Sequence, residues 1–187
     1  AIAEAARGAQ PFVDFILSGQ PEPPLYFARM KTLNLQGPPV LGRVPSPEQL
    51  DARGLAEAAK TAQVIDTRRD RKAFMRGHVA GSFYAPFDKT FPTVVGSLAD
   101  PAAPVVLIVD RDNLHGAIRD LIRIGYDNVR GWAPTSALEE MGSLASIESI
   151  DFAEFERRRE SGPITVLHLR GAGGHAARHV PGAINIA

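Results

Sequence analysis

Pro104-Val105-Val106-Leu107-Ile108-Val109-Asp110 runs directly into Arg111-Asp112-Asn113-Leu114-His115-Gly116-Ala117-Ile118, and this stretch decides the fold. Five aliphatic residues after a proline turn, three of them valine, read as a strand buried on both faces, the pattern of a central strand in a parallel sheet. Ile118, Leu121 and Ile122 then form an i, i+3, i+4 stripe that closes at Gly125, so a helix follows the strand. Strand, short connection and helix make the βα unit of an α/β fold. Ligands of such folds gather at the carboxyl ends of the strands, which places the candidate site on residues 110–116.

Composition narrows the chemistry. The 187 residues hold 21 Lys+Arg and 21 Asp+Glu, a formal net charge of zero, so nothing in the charge balance favours nucleic acid or an anionic membrane as partner. The aliphatic run at 105–109 is far too short to span a bilayer, and Ala1–Gly8 lacks the basic and apolar regions of a signal peptide. The cytoplasm is the expected compartment. The chain has no cysteine, which removes disulfides, thiolate metal sites and cysteine nucleophiles. A first residue other than Met and an apolar run at the end suggest a segment of a longer polypeptide.

Three zones are expected. Residues 1–43, rich in proline, allow only short helices: one with Phe12, Phe15 and Ile16 ahead of Gly19, and one starting at Pro24 whose face carries Tyr26, Met30 and Leu33. Five of these side chains, Phe12, Phe15, Ile16, Tyr26 and Met30, are expected to dock on neighbouring structure. Residues 44–141 open with Ser46, Pro47 and Gln49, read as a helix start, and continue through a buried strand at Val64-Ile65. Residues 142–187 bring a capping pair, Asp151 and Glu154, a helix that ends at Gly162-Pro163, and a strand over Ile164–Leu169. This zone echoes the second. Val64-Ile65-Asp66-Thr67-Arg68, leading to His78-Val79-Ala80-Gly81-Ser82, returns as Val166-Leu167-His168-Leu169-Arg170, leading to His179-Val180-Pro181-Gly182-Ala183.

At these residues the sequence resembles the rhodanese family: a strand ending in D-x-R, a short helix, and a G-H-x-P-G-A turn into the next strand. Gly125-Tyr126-Asp127-Asn128-Val129 is similar to that family's segment into its last strand. The resemblance spans about residues 44–187. It implies an α/β, three-layer fold with a central parallel sheet, one complete module at 44–141 and an incomplete second one at 142–187. In active members a cysteine follows the central strand and a loop of backbone N–H groups cradles its persulfide. Here that position falls on Asp110, with Arg111, Asp112, Asn113, Leu114, His115 and Gly116 as a degenerate active-site loop that retains anion binding at most. A carboxylate cannot take up and release sulfane sulfur, so the resemblance implies no catalytic residue.

A second resemblance lies in Gly19-Gln20-Pro21-Glu22-Pro23-Pro24-Leu25-Tyr26-Phe27-Ala28-Arg29-Met30-Lys31 and Gly37-Pro38-Pro39, which look like the end of a metallo-β-lactamase-fold domain fused to rhodanese modules. Members of that fusion family resemble persulfide dioxygenases and glyoxalase II-type hydrolases. The resemblance implies zinc or iron in an upstream domain, no cofactor in this chain, and that domain or other copies of the chain as partner. The implied role is a noncatalytic, structural or regulatory segment of a sulfur-metabolism protein.

Rival readings rest on shorter signals. A regulatory anion- or partner-binding module needs only the 110–116 segment. Val106–Leu114 also fits the strand-D-x-D start of aspartate-nucleophile phosphatases, but no lysine follows Lys89 and residue 113 is Asn. A tyrosine-phosphatase-like site would need cysteine at 110 and arginine at 116. His168, His175 and His179 are close in sequence, yet no carboxylate falls among them to complete a metal set, so a loop role for His175 and a turn role for His179 are expected. Arg157-Arg158-Arg159 reads as a solvated helix end and Trp132 as core.

Overall fold

The structure is a computed structural model that describes residues 7–18, 23, 24 and 26–186. The part of the first helix's neighbourhood around Gly19 lies outside the described residues. The chain divides into two compact units, Ala1–Ile147 and Glu148–Ala187. The second boundary expected from sequence, after Met141, differs from this division: His78 and Ala145 exchange backbone hydrogen bonds of 3.0 and 2.8 Å, and Ile147 N–H reaches the Met75 carbonyl at 2.8 Å. Those three bonds hold residues 142–147 to the first unit.

Five parallel strands build the first unit's sheet: β1 (Glu48–Gln49), β2 (Gln63–Asp66), β3 (Phe83–Tyr84), β4 (Val105–Ile108) and β5 (Val129–Ala133), in the order β1-β5-β4-β2-β3. β4 is central and all four of its residues are buried, as the aliphatic run requires. Alternation along the strands sends two sets of side chains to opposite faces. Ile65, Val105, Leu107, Val109 and Trp132 meet Phe91 and Val95 of α5 (Phe91–Leu98) and Ile118 and Leu121 of α6 (Arg111–Arg123). Val64, Val106, Ile108 and Ala133 meet Leu55 of α3 (Ala52–Ala58) and Leu138 of a 3-10 turn (Thr135–Glu140). Helices on both faces of a parallel sheet give the three-layer α/β architecture, consistent with a rhodanese-like fold. Each fully buried aliphatic or aromatic side chain contributes about 1.5–3 kcal/mol.

The helix expected from Ser46 starts later. Glu48 and Gln49 pair with Gly131 and Trp132 as an edge strand, and Asp51 caps α3 by accepting the Gly54 N–H at 2.7 Å. Asp51 and not Ser46 is the cap, because the backbone of residues 48–49 is drawn into the sheet.

Of the two short helices before the sheet, α1 (Ala9–Ser18) and α2 (Tyr26–Gln36), α2 docks on the first unit through Tyr26, one of the side chains expected to do so. Tyr26 packs on the core, and Arg29 Nη1 donates to the carbonyls of Ile124 (3.3 Å) and Gly125 (2.8 Å), the C-cap of α6 and the residue after it. A cation there also suits the helix dipole. On α1, Phe12, Phe15 and Ile16 stay 37–45% exposed. Glycine makes the α2 seat possible: a Cβ on Gly96 would lie 2.2 Å from Tyr26 Cδ1, and Gly125, at φ +79°, lies against the Arg29 guanidinium.

The second unit repeats β2-α4-β3, where α4 is Arg71–Arg76, with α7 (Phe152–Ser161) ahead of β6 (Leu167–His168), α8 (Ala172–Ala177) and β7 (Ile184–Asn185). β6 and β7 pair in parallel, Leu167 with Ile184 as Ile65 does with Phe83. Gly81 and Gly182 take φ of +78° and +83° in matching turns, closed by Ser82 N–H to Val79 O and Ala183 N–H to Val180 O. Asp151 caps α7 as expected, accepting the Glu154 N–H at 2.7 Å. The strand is shorter than the 164–169 expected, since only Leu167 and His168 find a partner strand. Among the described residues no helix is long and apolar enough to cross a membrane.

Gly96→Val should push Tyr26 out of its seat and cost about 1–3 kcal/mol, as overpacking does. Chemical denaturation measures this, with Gly142→Ala, which meets nothing within 4 Å, as a control expected to stay within about 0.5 kcal/mol of the parent.

Candidate functional site

β4 delivers Asp110 to the carboxyl end of the sheet, as the sequence reading required. The degenerate loop does not form. α6 begins at Arg111, so Arg111, Asp112, Asn113, Leu114, His115 and Gly116 are the first turns of a helix. The reason is local: Asp110 takes the extended N-cap conformation (φ −71°, ψ 144°), Asp112 suits the positive helix end, and the Asn113 N–H closes on the Asp110 carbonyl at 2.9 Å. A cradle needs several N–H groups converging on one point in front of the helix, and a helix that starts at once leaves no such loop.

Side chains at this end engage one another. Asp110 makes no side-chain cap; its carboxylate accepts the Thr135 hydroxyl at 2.8 Å. Arg111 donates to Gln49 Oε1 at 2.6 Å and lies over the Trp132 ring, 5.3 Å from its centroid. Trp132 itself is buried core. Gly116 serves packing: a Cβ there would lie 2.9 Å from Phe87 Cζ. Leu114 packs against the core half-buried, whereas Asp112 and His115 are exposed. Two carboxylates, Asp110 and Asp112, thus stand where an incoming anion would seek positive potential. Thr135, Gln49 and Phe87 were missed in sequence. Gln49 had been read as part of a cap, and nothing local to Thr135 or Phe87 marks them as neighbours of a segment distant in the chain.

The D-x-R pair is a structural clamp. Asp66 is wholly buried and Arg68 grips both its carboxylate oxygens, Nε at 3.0 Å to each and Nη2 at 2.7 Å to Oδ2. Arg68 Nη2 also donates to the Gly77 carbonyl at 2.7 Å, tying the end of β2 to the turn before His78. An open groove of about 490 Å³ adjoins this clamp, bordered by Arg68, Arg76, Thr135, Ser136 and Glu139.

Residues 168–179 hold the three histidines near one another, but not as ligands around a common point. His168 Nδ1 meets His175 Nδ1 at 2.9 Å, and His179 Nδ1 is taken by the His175 carbonyl at 2.7 Å. His175 lies in α8, not in a loop as expected. Among the described residues no group of three His, Asp or Glu side chains is arranged to hold a metal. The same is true of Asp110 and Asp112, which lack the further acidic pair that an aspartate-nucleophile phosphatase needs.

No family model and no curated protein matches the chain. Among solved structures it is similar to a metallo-β-lactamase from Staphylococcus aureus, 28% identical with a TM-score of 0.55, over 66% of this chain and 34% of that one. The chain thus spans about a third of that protein's length. It is more distantly similar to the rhodanese-like domain of an Anabaena protein (16% identity, TM-score 0.45, 67% of this chain and 98% of that one). A third neighbour is an anaerobic ergothioneine biosynthesis enzyme from Chlorobium limicola (18% identity, TM-score 0.41, 75% and 41%).

Asp66→Ala would leave the half-buried Arg68 guanidinium without its carboxylate but still bonded to the Gly77 carbonyl, so the loss should fall below the roughly 3–5 kcal/mol of a fully buried pair, at about 1–3 kcal/mol. Thermal unfolding should show a loss of that order. Elemental analysis of the purified chain should find less than one zinc or iron per molecule.

Proposed function

We propose that the chain is a noncatalytic rhodanese-like segment of a larger metallo-β-lactamase-fold protein of sulfur metabolism, and that its role is to support or position the metal-dependent domain. One observation carries this reading: Asp110, in a chain without cysteine, occupies the junction of β4 and α6 where a persulfide-forming thiol would have to stand. Sulfur transfer needs a polarisable thiolate that accepts sulfane sulfur and gives it up again. A carboxylate does neither, and the immediate start of α6 removes the loop that would stabilise a persulfide.

The likeness to the staphylococcal metallo-β-lactamase supports the link to a larger protein, since it involves only about a third of that chain. The role of partner then falls to the upstream domain, with α2 as the joint between it and the sheet, and the cytoplasm as the compartment. An anion-binding role for residues 110–116 finds less support, because Asp110 and Asp112 face any anion arriving there.

The purified chain should show no thiosulfate:cyanide sulfurtransferase activity above a heat-killed control. Asp110→Cys should add little, because Asp112 raises the pKa of a neighbouring thiol. The natural gene product, detected with an antibody against residues 44–141, should be much larger than 20.1 kDa. Measurable sulfur transfer, or a product of about that mass, would overturn the reading.

A further inference from the structure

The internal repeat permits a comparison that neither copy allows alone. In the first copy His78 Nδ1 contacts the carbonyl of Phe74, four residues back, at 3.0 Å, and the two rings stack at 4.2 Å. In the second copy His179 Nδ1 contacts the carbonyl of His175, again four residues back, at 2.7 Å, and the rings stack at 3.9 Å. His175 thus replaces Phe74. At the strand end His168 replaces Asp66, and the carboxylate–guanidinium clamp gives way to a contact between His168 Nδ1 and His175 Nδ1 at 2.9 Å. Three imidazoles stand in one column where the first copy has a carboxylate, a phenyl ring and one imidazole.

Such a column accepts only certain proton counts. A contact between two ring nitrogens needs one N–H and one lone pair, so it forms when one of the two rings offers a bare nitrogen. Protonating both sets N–H against N–H, and a charged His175 would also stack face to face on a charged His179. In the first copy the aromatic partner is Phe74, which never charges.

We propose that His168, His175 and His179 form a proton-operated latch that fastens β6 to α8 near neutral pH and releases this unit on acidification. His179 is exposed and His168 and His175 are half-buried, but β6, α8 and β7 carry no carboxylate to offset added charge. On β6 and its end the ionisable groups are His168 and Arg170, on α8 and the turn after it His175, Arg178 and His179, and on β7 there is only the neutral Asn185, whose amide donates to the His168 carbonyl at 2.9 Å. Residues 162–187 contain no Asp or Glu. The acidic residues of the unit, Glu148, Asp151, Glu154, Glu156 and Glu160, all lie in or before α7, where Glu148, Glu154 and Glu156 are paired with Arg157, Arg158 and Arg159.

The direction of the pH dependence follows. Burial, then the nearby His179 and His168, hold the His175 pKa below its ordinary 6.5. A folded-state value below the unfolded one means that the unfolded segment binds the proton first. The stability from the neutral column is complete above about pH 6.5 and is lost as pH falls through the lowered value of the folded state.

Hydrogen–deuterium exchange on the whole 187-residue chain, corrected for intrinsic rates, tests this at pH 7.5 and 5.5. Amides in 164–186 should exchange several-fold faster at the lower pH, while those of Val105–Ile108 keep their protection. His175→Phe, which restores the first copy's residue, should abolish the pH dependence. His168→Asp should reverse it, since a carboxylate would accept from a protonated His175. Equal protection of 164–186 at the two pH values in the parent chain overturns the proposal, as does an undiminished pH dependence in His175→Phe. If that variant fails to order the unit at either pH, His168→Asp decides: a reversed dependence supports the latch, and an unchanged one refutes it.

Discussion

Burial of Val105–Ile108 on both faces governs the first unit. A strand wedged between β2 and β5 must place alternate side chains in two separate cores, one against α5 and α6 and the other against α3 and the 3-10 turn. Both faces then need helices, and parallel neighbours need crossovers, so the layer order is settled once this strand is central. The same strand projects Asp110 beyond the sheet and starts α6 at the next residue. The architecture and the lack of an anion cradle thus share one origin, the direct passage from buried strand to helix.

Helix α2 shows how an extension with modest apolar character becomes integral to a domain. Tyr26 supplies area and Arg29 supplies charge, and both depend on backbone approached without an intervening Cβ, at Gly96 and Gly125. α1 has the more apolar sequence but leaves its aromatic side chains more than a third exposed.

The parts legible in sequence were those fixed by local pattern: the central strand, the stripe of α6, the capping of α7 by Asp151, and the repeat between residues 64–82 and 166–183. The start of α3 was misplaced because a capping pattern at Ser46 competed with sheet pairing by Glu48 and Gln49, and pairing depends on residues about eighty positions away. Counting against a resembled family predicts a loop at 111–116, whereas helix initiation answers to the extended backbone of Asp110, whose carbonyl accepts the Asn113 N–H. Thr135 beside Asp110, and Gln49 beside Arg111, could not be read because the sheet order alone brings them together.

That order carries a kinetic consequence. β2 with β3, and β4 with β5, are neighbours in sequence as well as in space, so each pair closes a short loop as it forms. The β2–β4 seam joins the halves, and β1 must reach across from residues 48–49 to residues 131–132 to complete the sheet. Long closures form late, and a two-residue edge strand carries few backbone bonds to hold it. β1 combines the longest closure in the sheet with a length of two residues, so it is expected to assemble late and fray readily. Because Gln49 is its final residue and accepts from Arg111, fraying of β1 would loosen the mouth of the β4–α6 junction.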